Sequence, residues 1–453
     1  RDLVATWLLF PDNFTDGQLN IPESGNGVPD ILDEAVVGVE VWQRAQRADG
    51  RVGTWIEAVS HPRGGGIAPA DDELRYYLSL ATRNSSLDYA RHAALMGRAL
   101  VQAGDAERGQ PLSDSAAAAY GFGTDPAVRV STAFQAADGT QHTWIEAQSP
   151  SPGRMVHAAI QLWLATGEQR YRDALDDPTL ADAFGRDVSD MHWRTEPYDV
   201  IDTVLEPDRF PDGWGAAAEA RILEIAEGWI AGQATLPYRK VWYGIDHGYF
   251  GLMGWGNNIF KPILNLVAAW RLSGDPRYRD KALLGVNWLH GGNPQGRVNT
   301  TGLGQNPITT LLHIHSFTDD LAEPVPGITI FGYTAGISHS GRTRVWGLFY
   351  DDRADLDFVG TAVAQLPPPW DDPELTTNQI SDVLYATVPL WRRMLMMEND
   401  NVPQTEFTVH STIVQAAAVV GALMNPGWMP DAALLNRQPK DEAALSTGRL
   451  YQP

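Results

Sequence analysis

Residues 19–35 read LNIPESGNGVPDILDEA, a stretch in which Pro and Gly residues give way to an apolar, helix-capable segment. Upstream of it, Asp2–Phe14 has the pattern of the end of a helix. Downstream, helix-period patterns with turn-rich interruptions dominate the chain, without strand-rich stretches. The sequence therefore predicts an all-α fold.

Three segments resemble one another as helical hairpins. Residues 163–175 read WLATGEQRYRDAL and residues 270–283 read WRLSGDPRYRDKAL. Both contain an apolar helix end, a turn through a glycine suited to the left-handed position after a helix, and Arg-Tyr-Arg-Asp at the next helix start. Residues 78–100 form a looser third copy, with LSLAT as the helix end and a polar turn at Asn84–Ser86. The copies are too far apart for a short-period solenoid, so the hairpins are expected to close into a toroid.

The composition indicates a globular protein, and its net charge suits an enzyme that acts on an uncharged or cationic substrate. The 453 residues are 43% apolar, enough for a sizeable core. With 34 basic and 56 acidic residues the net charge is −22, which repels nucleic acid and anionic membranes. There is no cysteine and no apolar run long enough to span a membrane. The 16 tryptophans and 14 tyrosines are more than a core normally uses and suit a sugar-binding cleft, because pyranose faces stack on flat rings. Most of them are explained equally well as ordinary core and surface aromatics.

The opening stretch resembles a signature loop of glycoside hydrolase family 9, a family of inverting glycosidases that includes cellulases. The resemblance runs from about Leu9 to about Met424 and includes NWLHGGNPQGRVNTTGLGQNP at residues 287–307, which is similar to the family's Gly-x-Asn-Pro turn. It implies an (α/α)6 barrel of helical hairpins over residues 1–430, N-terminally incomplete, followed by a C-terminal tail at residues 431–453.

The block at residues 287–307 leads in the family to a histidine signature, His-x-Arg. In this chain the corresponding residues are His313, Ile314 and His315. The resemblance implies that both histidines orient the sugar at the cleavage point. The change from arginine to histidine is expected to affect substrate preference rather than reaction type.

A second family signature resembles DNVPQTEFTVHSTIV at residues 400–414, in which Glu406 falls on the general acid. Thr412 stands where the family has asparagine. The neighbours Phe407 and Val409 are apolar and would raise the pKa of Glu406, which keeps a general acid protonated. The alternative is a glutamate that interacts with the dipole at the start of the following helix.

An inverting glycosidase also needs a carboxylate that activates water, about 6.5–9.5 Å from the acid. The family's Asp-Ala-Gly-Asp motif carries this base, and it does not occur between Arg1 and Pro453. Three explanations stay open: an aspartate upstream of Arg1, a substitute carboxylate, or a protein that binds sugar without cleaving it. We favour the upstream aspartate, and an N-terminal sandwich domain is also compatible with the family.

Other residues are weaker candidates for substrate binding. The sequence TWIEA occurs at residues 54–58 and again at residues 143–147, so Glu57 and Trp144 are predicted to accept hydroxyl protons and to stack on sugar. Chance repetition is the alternative. Three residues in polar-aromatic or Gly-rich loops are predicted to face the substrate, although such loop residues are more often simply packed or solvated: Trp242, Tyr243 and His61.

Metal binding is weakly indicated. Acidic residues at 71–73 and 319–320 supply oxygen ligands without the spacing of an EF-hand loop. The resemblance allows a structural calcium ion, and the expected reaction requires no cofactor.

The sequence thus predicts a secreted, inverting endo-β-1,4-glucanase whose partner is a β-glucan or oligosaccharide, not nucleic acid or a membrane. An exo-acting β-glucosaminidase or oligosaccharidase is the alternative if a loop such as Gly109–Gly139 blocks one end of the cleft. A non-catalytic carbohydrate-binding barrel is the alternative if the base is absent.

Overall fold

The computed structural model describes residues 1–58, 72–128, 133–135, 139–143, 149–191, 196–235, 239, 241, 260–293, 295–309, 311–313, 315–316, 324–332, 406–427 and 429. They divide into two compact units. The first is formed by the described residues of 1–61, 73–222 and 424–447, and the second by those of 62–72 and 223–423. Residues 431–453, the predicted tail, lie outside the described part.

Helices dominate both units, as predicted. The first unit contains α1 (Asp2–Leu9), α2 (Asp30–Ala45), α3 (Arg83–Gln102), α4 (Ala106–Thr124), α5 (Pro152–Thr166), α6 (Gln169–Ala174), α7 (Pro178–Ser189) and α8 (Pro197–Leu205). Helix α9 (Trp214–Thr235) begins in the first unit and ends in the second. The second unit contains α10 (Phe260–Ser273), α11 (Pro276–Leu289) and α12 (Val414–Leu423), which a π-helical turn, Val409–Ile413, precedes.

The loop before α2 is held by Asp30, the first residue of that helix. Asp30 is fully buried, and its carboxylate accepts hydrogen bonds from the backbone amides of Gly17, at 2.9 Å, and Leu19, at 2.6 Å. Both amides lie in a loop, where no regular ladder can pair them, so the carboxylate replaces the missing partners. The chain then enters α2 with Leu32 fully buried in a core that also contains Trp7.

Asp16 holds the other end of the same loop. Its two carboxylate oxygens accept hydrogen bonds from the amides of Gly25, at 2.5 Å, and Gly27, at 2.6 Å. These bonds stabilise the ionised form and lower the pKa of Asp16. Gly25 and Gly27 have φ of 101° and 90°, a region that favours glycine. The Gly-Asn-Gly run of the opening stretch is therefore required by this loop.

Two of the three predicted helical hairpins are confirmed. Helix α5 ends at Thr166, and Gly167 follows with φ 68° before α6 begins. Helix α10 ends at Ser273, and Gly274 follows with φ 70° before α11 begins. In both hairpins the left-handed glycine ends one helix so that the Arg-Tyr-Arg-Asp segment can open the next.

The prediction of the third hairpin is wrong. Its helix end, LSLAT at residues 78–82, is not helical: Leu78 is the last residue of a strand, β2 (Tyr76–Leu78), and the expected turn at Asn84–Ser86 is the first turn of α3. The hydroxyl of Thr82 accepts a hydrogen bond from the amide of Ser85 at 2.9 Å, and the Ser85 hydroxyl accepts one from the Thr82 amide at 2.9 Å. Small polar residues favour turns and helix starts alike, and here they form a capping box.

Strands also occur where none were predicted. Strand β1 (Ile56–Ala58) pairs antiparallel with β2, and β3 (Ala133–Gln135) pairs antiparallel with β4 (Gln141–Thr143). Each is three residues long, too short for a period-2 pattern to stand out in the sequence.

The prediction of a loop at Gly109–Gly139 is wrong over the first half of this range, which belongs to α4. A Cβ atom on Gly109 would lie 2.7 Å from the carbonyl oxygen of Gly97 in α3. Glycine therefore permits a close approach of two helices here and does not mark a loop. The structure gives no support for a loop at Ala106–Thr124 that blocks a cleft.

Buried charges link α3, α5 and α8 in the first unit. Arg98 of α3 donates to one carboxylate oxygen of Asp202 at 3.0 Å, and Gln161 of α5 donates to the other at 2.8 Å. A second ion pair lies one turn away, where Arg91 and Arg1 contact Asp199. Burial alone would raise the pKa of Asp199, but the two guanidinium groups hold it well below the usual range.

Within the described residues, no helix combines the length and the apolar character needed to cross a bilayer.

Candidate functional site

Glu406 lies in an extended segment immediately before the π-helical turn that leads into α12. The helix begins at Val409 with Thr408 as its N-cap residue, so Glu406 is outside the first turn. The cap is closed by Thr412, whose hydroxyl accepts from the amide of Thr408 at 3.1 Å and donates to its carbonyl at 2.9 Å. The alternative role of Glu406 at the helix dipole is therefore not supported. Thr412, where the family has asparagine, maintains the turn.

Backbone hydrogen bonds fix the position of Glu406 relative to the block at residues 287–307. The amide of Phe331 donates to the carbonyl of Glu406 at 2.9 Å. On the same segment, the amide of Ile330 donates to the carbonyl of Asn299 at 3.0 Å, and Thr329 and Thr300 share a hydroxyl hydrogen bond of 2.9 Å. Two of the sequence signatures thus meet through one buried connecting segment.

The environment of Glu406 suits a proton donor. Burial raises the pKa of its carboxyl above the ordinary value, because removal from water penalises the charged form. The prediction that apolar Phe407 and Val409 raise this pKa is only partly correct, because Val409 is 63% exposed and does not cover the carboxyl. Phe407, the other predicted neighbour, is half-buried and packs against His313.

His313 is held beside the acid segment from two sides. Its ring meets the ring of Phe407 edge to face, with centroids 5.5 Å apart. Its Nδ1 atom lies 2.8 Å from the hydroxyl of Ser316. The ring of His315 is 6.0 Å from that of His313, again in an edge arrangement. The structure therefore brings His313, His315 and the Glu406 segment together, and their roles toward substrate stay predictions.

The hydroxyl of Ser316 orients the imidazole of His313. The Ser316 oxygen also accepts a hydrogen bond from the amide of Val325 at 3.1 Å, so the hydroxyl is itself held in place. Because a hydroxyl can both donate and accept, this contact is compatible with either tautomer of the imidazole.

Replacing Ser316 with alanine removes the hydrogen bond that orients His313, and we expect it to lower kcat/KM on the predicted cello-oligosaccharide substrate about fivefold, as for one lost hydrogen bond of about 1 kcal/mol. Ser316→Thr retains the hydroxyl and should restore the parent value. A kcat/KM of Ser316→Ala equal to that of the parent would contradict this role.

Of the other predicted substrate-binding residues, the structure describes Glu57. It lies in β1 of the first unit, exposed and directly opposite Tyr77 of β2. Trp144, Trp242, Tyr243 and His61 lie outside the described residues.

Among the residues that the structure describes, no three His, Asp or Glu side chains are grouped closely enough to hold a metal ion. Three of the acidic candidates lie outside this part of the chain: Asp71, Asp319 and Asp320.

Sequence reasoning missed Ser316 and Phe331. Ser316 directly follows the histidine signature, so a hydroxyl three residues after His313 was a usable signal. Phe331 acts through its backbone amide, which no side-chain pattern reveals.

The chain matches the family model for glycosyl hydrolase family 9 over residues 18–340. It is 25% identical over 325 residues to endoglucanase C of Cellulomonas fimi, and this match covers 70% of this chain and 29% of that protein. It is 23% identical over 349 residues to a xyloglucan-specific endo-β-1,4-glucanase of Bacteroides ovatus, covering 74% and 57%. The chain thus spans less than two thirds of the length of these relatives.

Solved structures agree with the sequence matches. A family 9 glycoside hydrolase of Bacteroides ovatus has a TM-score of 0.62 and 18% identity, covering 93% of this chain and 67% of its own. A thermostable endoglucanase of Alicyclobacillus acidocaldarius has a TM-score of 0.64 and 16% identity, covering 93% and 70%. The predicted all-α fold class, that of the (α/α)6 barrels, is confirmed. The chain belongs to glycosyl hydrolase family 9.

Proposed function

We propose that this chain is the catalytic part of an inverting endo-β-1,4-glucanase, with Glu406 as general acid and an aspartate N-terminal to Arg1 as general base. Membership of the family and its endoglucanase relatives support a β-1,4-glucan as substrate. The family model ends before Glu406, so the acid rests on the resemblance of residues 400–414 and on the local structure. The observation that carries it is the half-buried position of Glu406, whose neighbour Phe407 contacts the ring of His313; partial burial also raises the pKa of the carboxyl.

The reaction begins with a β-glucan chain placed against Glu406. The protonated carboxyl gives its proton to the glycosidic oxygen as the bond to the anomeric carbon breaks. Water attacks that carbon from the opposite face and loses a proton to the aspartate, so the new hemiacetal has the α configuration. The imidazole of His313 forms a hydrogen bond with a sugar hydroxyl, and the edge contact with Phe407 fixes the imidazole beside the acid.

This chemistry moves protons and one water molecule and needs no cofactor. A polymeric glucan is too large to enter a cell intact, which supports the prediction of a secreted protein. The net charge of −22 is compatible with a neutral polysaccharide.

The test uses cellohexaose as substrate and a chain extended before Arg1 by a segment that carries the proposed aspartate. Proton NMR of the first product should show the α-anomer, and early products should be of mixed length. A β-anomer would contradict inversion, and one short product from the first turnovers would contradict endo action. The 453-residue chain alone should bind the oligosaccharide yet turn it over about 10²–10⁴-fold more slowly, the contribution of a general base.

A further inference from the structure

The β1–β2 hairpin of the first unit carries exposed aromatic rings. Trp55, directly before β1, is 41% exposed, and Tyr77 of β2 is 40% exposed. Tyrosine and tryptophan contribute large apolar areas, which a fold normally buries or uses for binding.

The pairing register places these two rings on one face, each next to the carboxylate of Glu57. Glu57 lies directly opposite Tyr77, and the amide of Ser79 donates to the carbonyl of Trp55 at 2.9 Å, which continues the pairing by one position. Because side chains alternate along a strand, Trp55, Glu57 and Tyr77 share a face. Opposite residues have Cβ atoms about 5 Å apart and diagonal neighbours about 7–8 Å apart. Glu57 is therefore next to Tyr77 across the strand pair and next to Trp55 along its own strand, and the two rings are diagonal neighbours.

Hydrogen bonds fix this face before any ligand binds. The hydroxyl of Ser79 accepts from the amides of Thr54, at 2.7 Å, and Trp55, at 3.1 Å. One carboxylate oxygen of Glu57 accepts from the amide of Ala58 at 3.1 Å. This contact orients the carboxylate and leaves its second oxygen to a hydroxyl donor.

We propose that the face of Trp55, Glu57 and Tyr77 binds a β-1,4-glucan chain. Pyranose rings would stack on the two aromatic rings, and a hydroxyl would donate to Glu57. The identity of the glycan rests on the proposed function, whereas the choice of a sugar rests on the alternation of flat apolar rings with a hydrogen-bond acceptor.

A protein partner fits this face less well, since covering Glu57 without a hydrogen-bond donor would cost free energy. The opposite face of the hairpin carries Ile56, Ala58, Tyr76 and Leu78, which include no charged group. A purely apolar contact would prefer that opposite face.

The test measures glucan affinity in the Glu406→Gln variant, where turnover does not interfere. Affinity electrophoresis in hydroxyethyl cellulose and calorimetry with cellohexaose should show that Trp55→Ala and Tyr77→Ala each weaken binding about fivefold to tenfold, and Glu57→Ala less. Tyr76→Ala is the matched control, because Tyr76 is 53% exposed on the opposite face, and its affinity should equal that of the parent. Circular dichroism and melting curves establish that each variant is folded.

Parent affinity in Trp55→Ala and Tyr77→Ala would overturn the proposal. So would an equal loss in Tyr76→Ala, since that would be a general effect on the hairpin. A third outcome would assign the face to self-association instead. In that case the variants would keep the glucan affinity of the parent, the molecular mass of the parent in solution would rise with protein concentration, and Trp55→Ala would abolish that rise. Normal hydrolysis with unaffected binding would refute only this proposal, whereas neither binding nor hydrolysis of glucan by the parent would refute the proposed function itself.

Discussion

Replacement of Glu406 with glutamine is expected to lower kcat on cellohexaose by about 10²–10⁴-fold, with KM changed by no more than about twofold. Glutamine has the same size and keeps the backbone bond to the amide of Phe331, but it has no proton to give the leaving oxygen. Steady-state kinetics by reducing-sugar release measure both constants. Glu219→Gln, the same change at a half-buried glutamate of α9, should retain the parent rate.

The leaving group distinguishes an acid from a residue that merely shapes the site. In an aryl cello-oligosaccharide the leaving group is a phenolate, and a weakly basic phenolate departs with little proton donation. The Glu406→Gln variant should therefore lose far less activity on such a substrate than on cellohexaose. An equal loss on both substrates would remove Glu406 from the role of general acid.

The raised pKa of Glu406 also sets the direction of two pH dependences. Activity of the parent should fall as pH rises through the pKa of the folded state, because the acid must be protonated. Stability follows the same sign: the protonated form is favoured in the folded protein, and that advantage is lost as pH rises through the folded pKa. The melting temperature of Glu406→Gln relative to the parent should therefore increase between about pH 4 and pH 7.

Local signals in the sequence were sufficient for the elements that local chemistry decides. Gly167 and Gly274 occupy left-handed positions that only a few residue types tolerate, so both hairpins could be predicted. The prediction for the segment after Leu78 was wrong because Ser and Asn residues favour both turns and helix N-termini. The Thr82–Ser85 capping box decides for the helix here.

Long-range contacts account for the other failures. The sequence predicts a loop at Gly109, yet glycine is needed there because the backbone of Gly97, 12 residues earlier in α3, lies close to it. Strand β1 forms because it pairs with β2, and a pattern of three residues gives no indication of a partner strand about 20 positions away. For the site, resemblance located Glu406 and His313, whereas the contact of His313 with Phe407 and the bond from Phe331 require the fold.

The buried pair Arg98–Asp202 should be the costliest polar contact to break in the described part of the first unit. Replacement of Arg98 with methionine leaves the buried carboxyl group of Asp202 with only the bond from Gln161, and we expect a loss of about 3–5 kcal/mol in the free energy of unfolding. Urea denaturation followed by circular dichroism measures it. Arg154–Asp88 is the matched control: it has a similar distance of 2.9 Å, but its side chains are 43% and 41% exposed. Arg154→Met should cost less than about 1 kcal/mol, because water screens the pair.

The double variant Arg98→Met/Asp202→Leu separates the burial of charge from the loss of a contact. A buried ion pair repays its desolvation only in part, so removing both charges leaves no uncompensated ion. We therefore expect the double variant to be more stable than Arg98→Met alone, although Gln161 loses its acceptor. If the two single replacements instead added up in the double variant, the cost would come from lost packing between α3 and α8 rather than from the isolated charge. Equal losses in Arg98→Met and Arg154→Met would show that burial gives this pair no special weight.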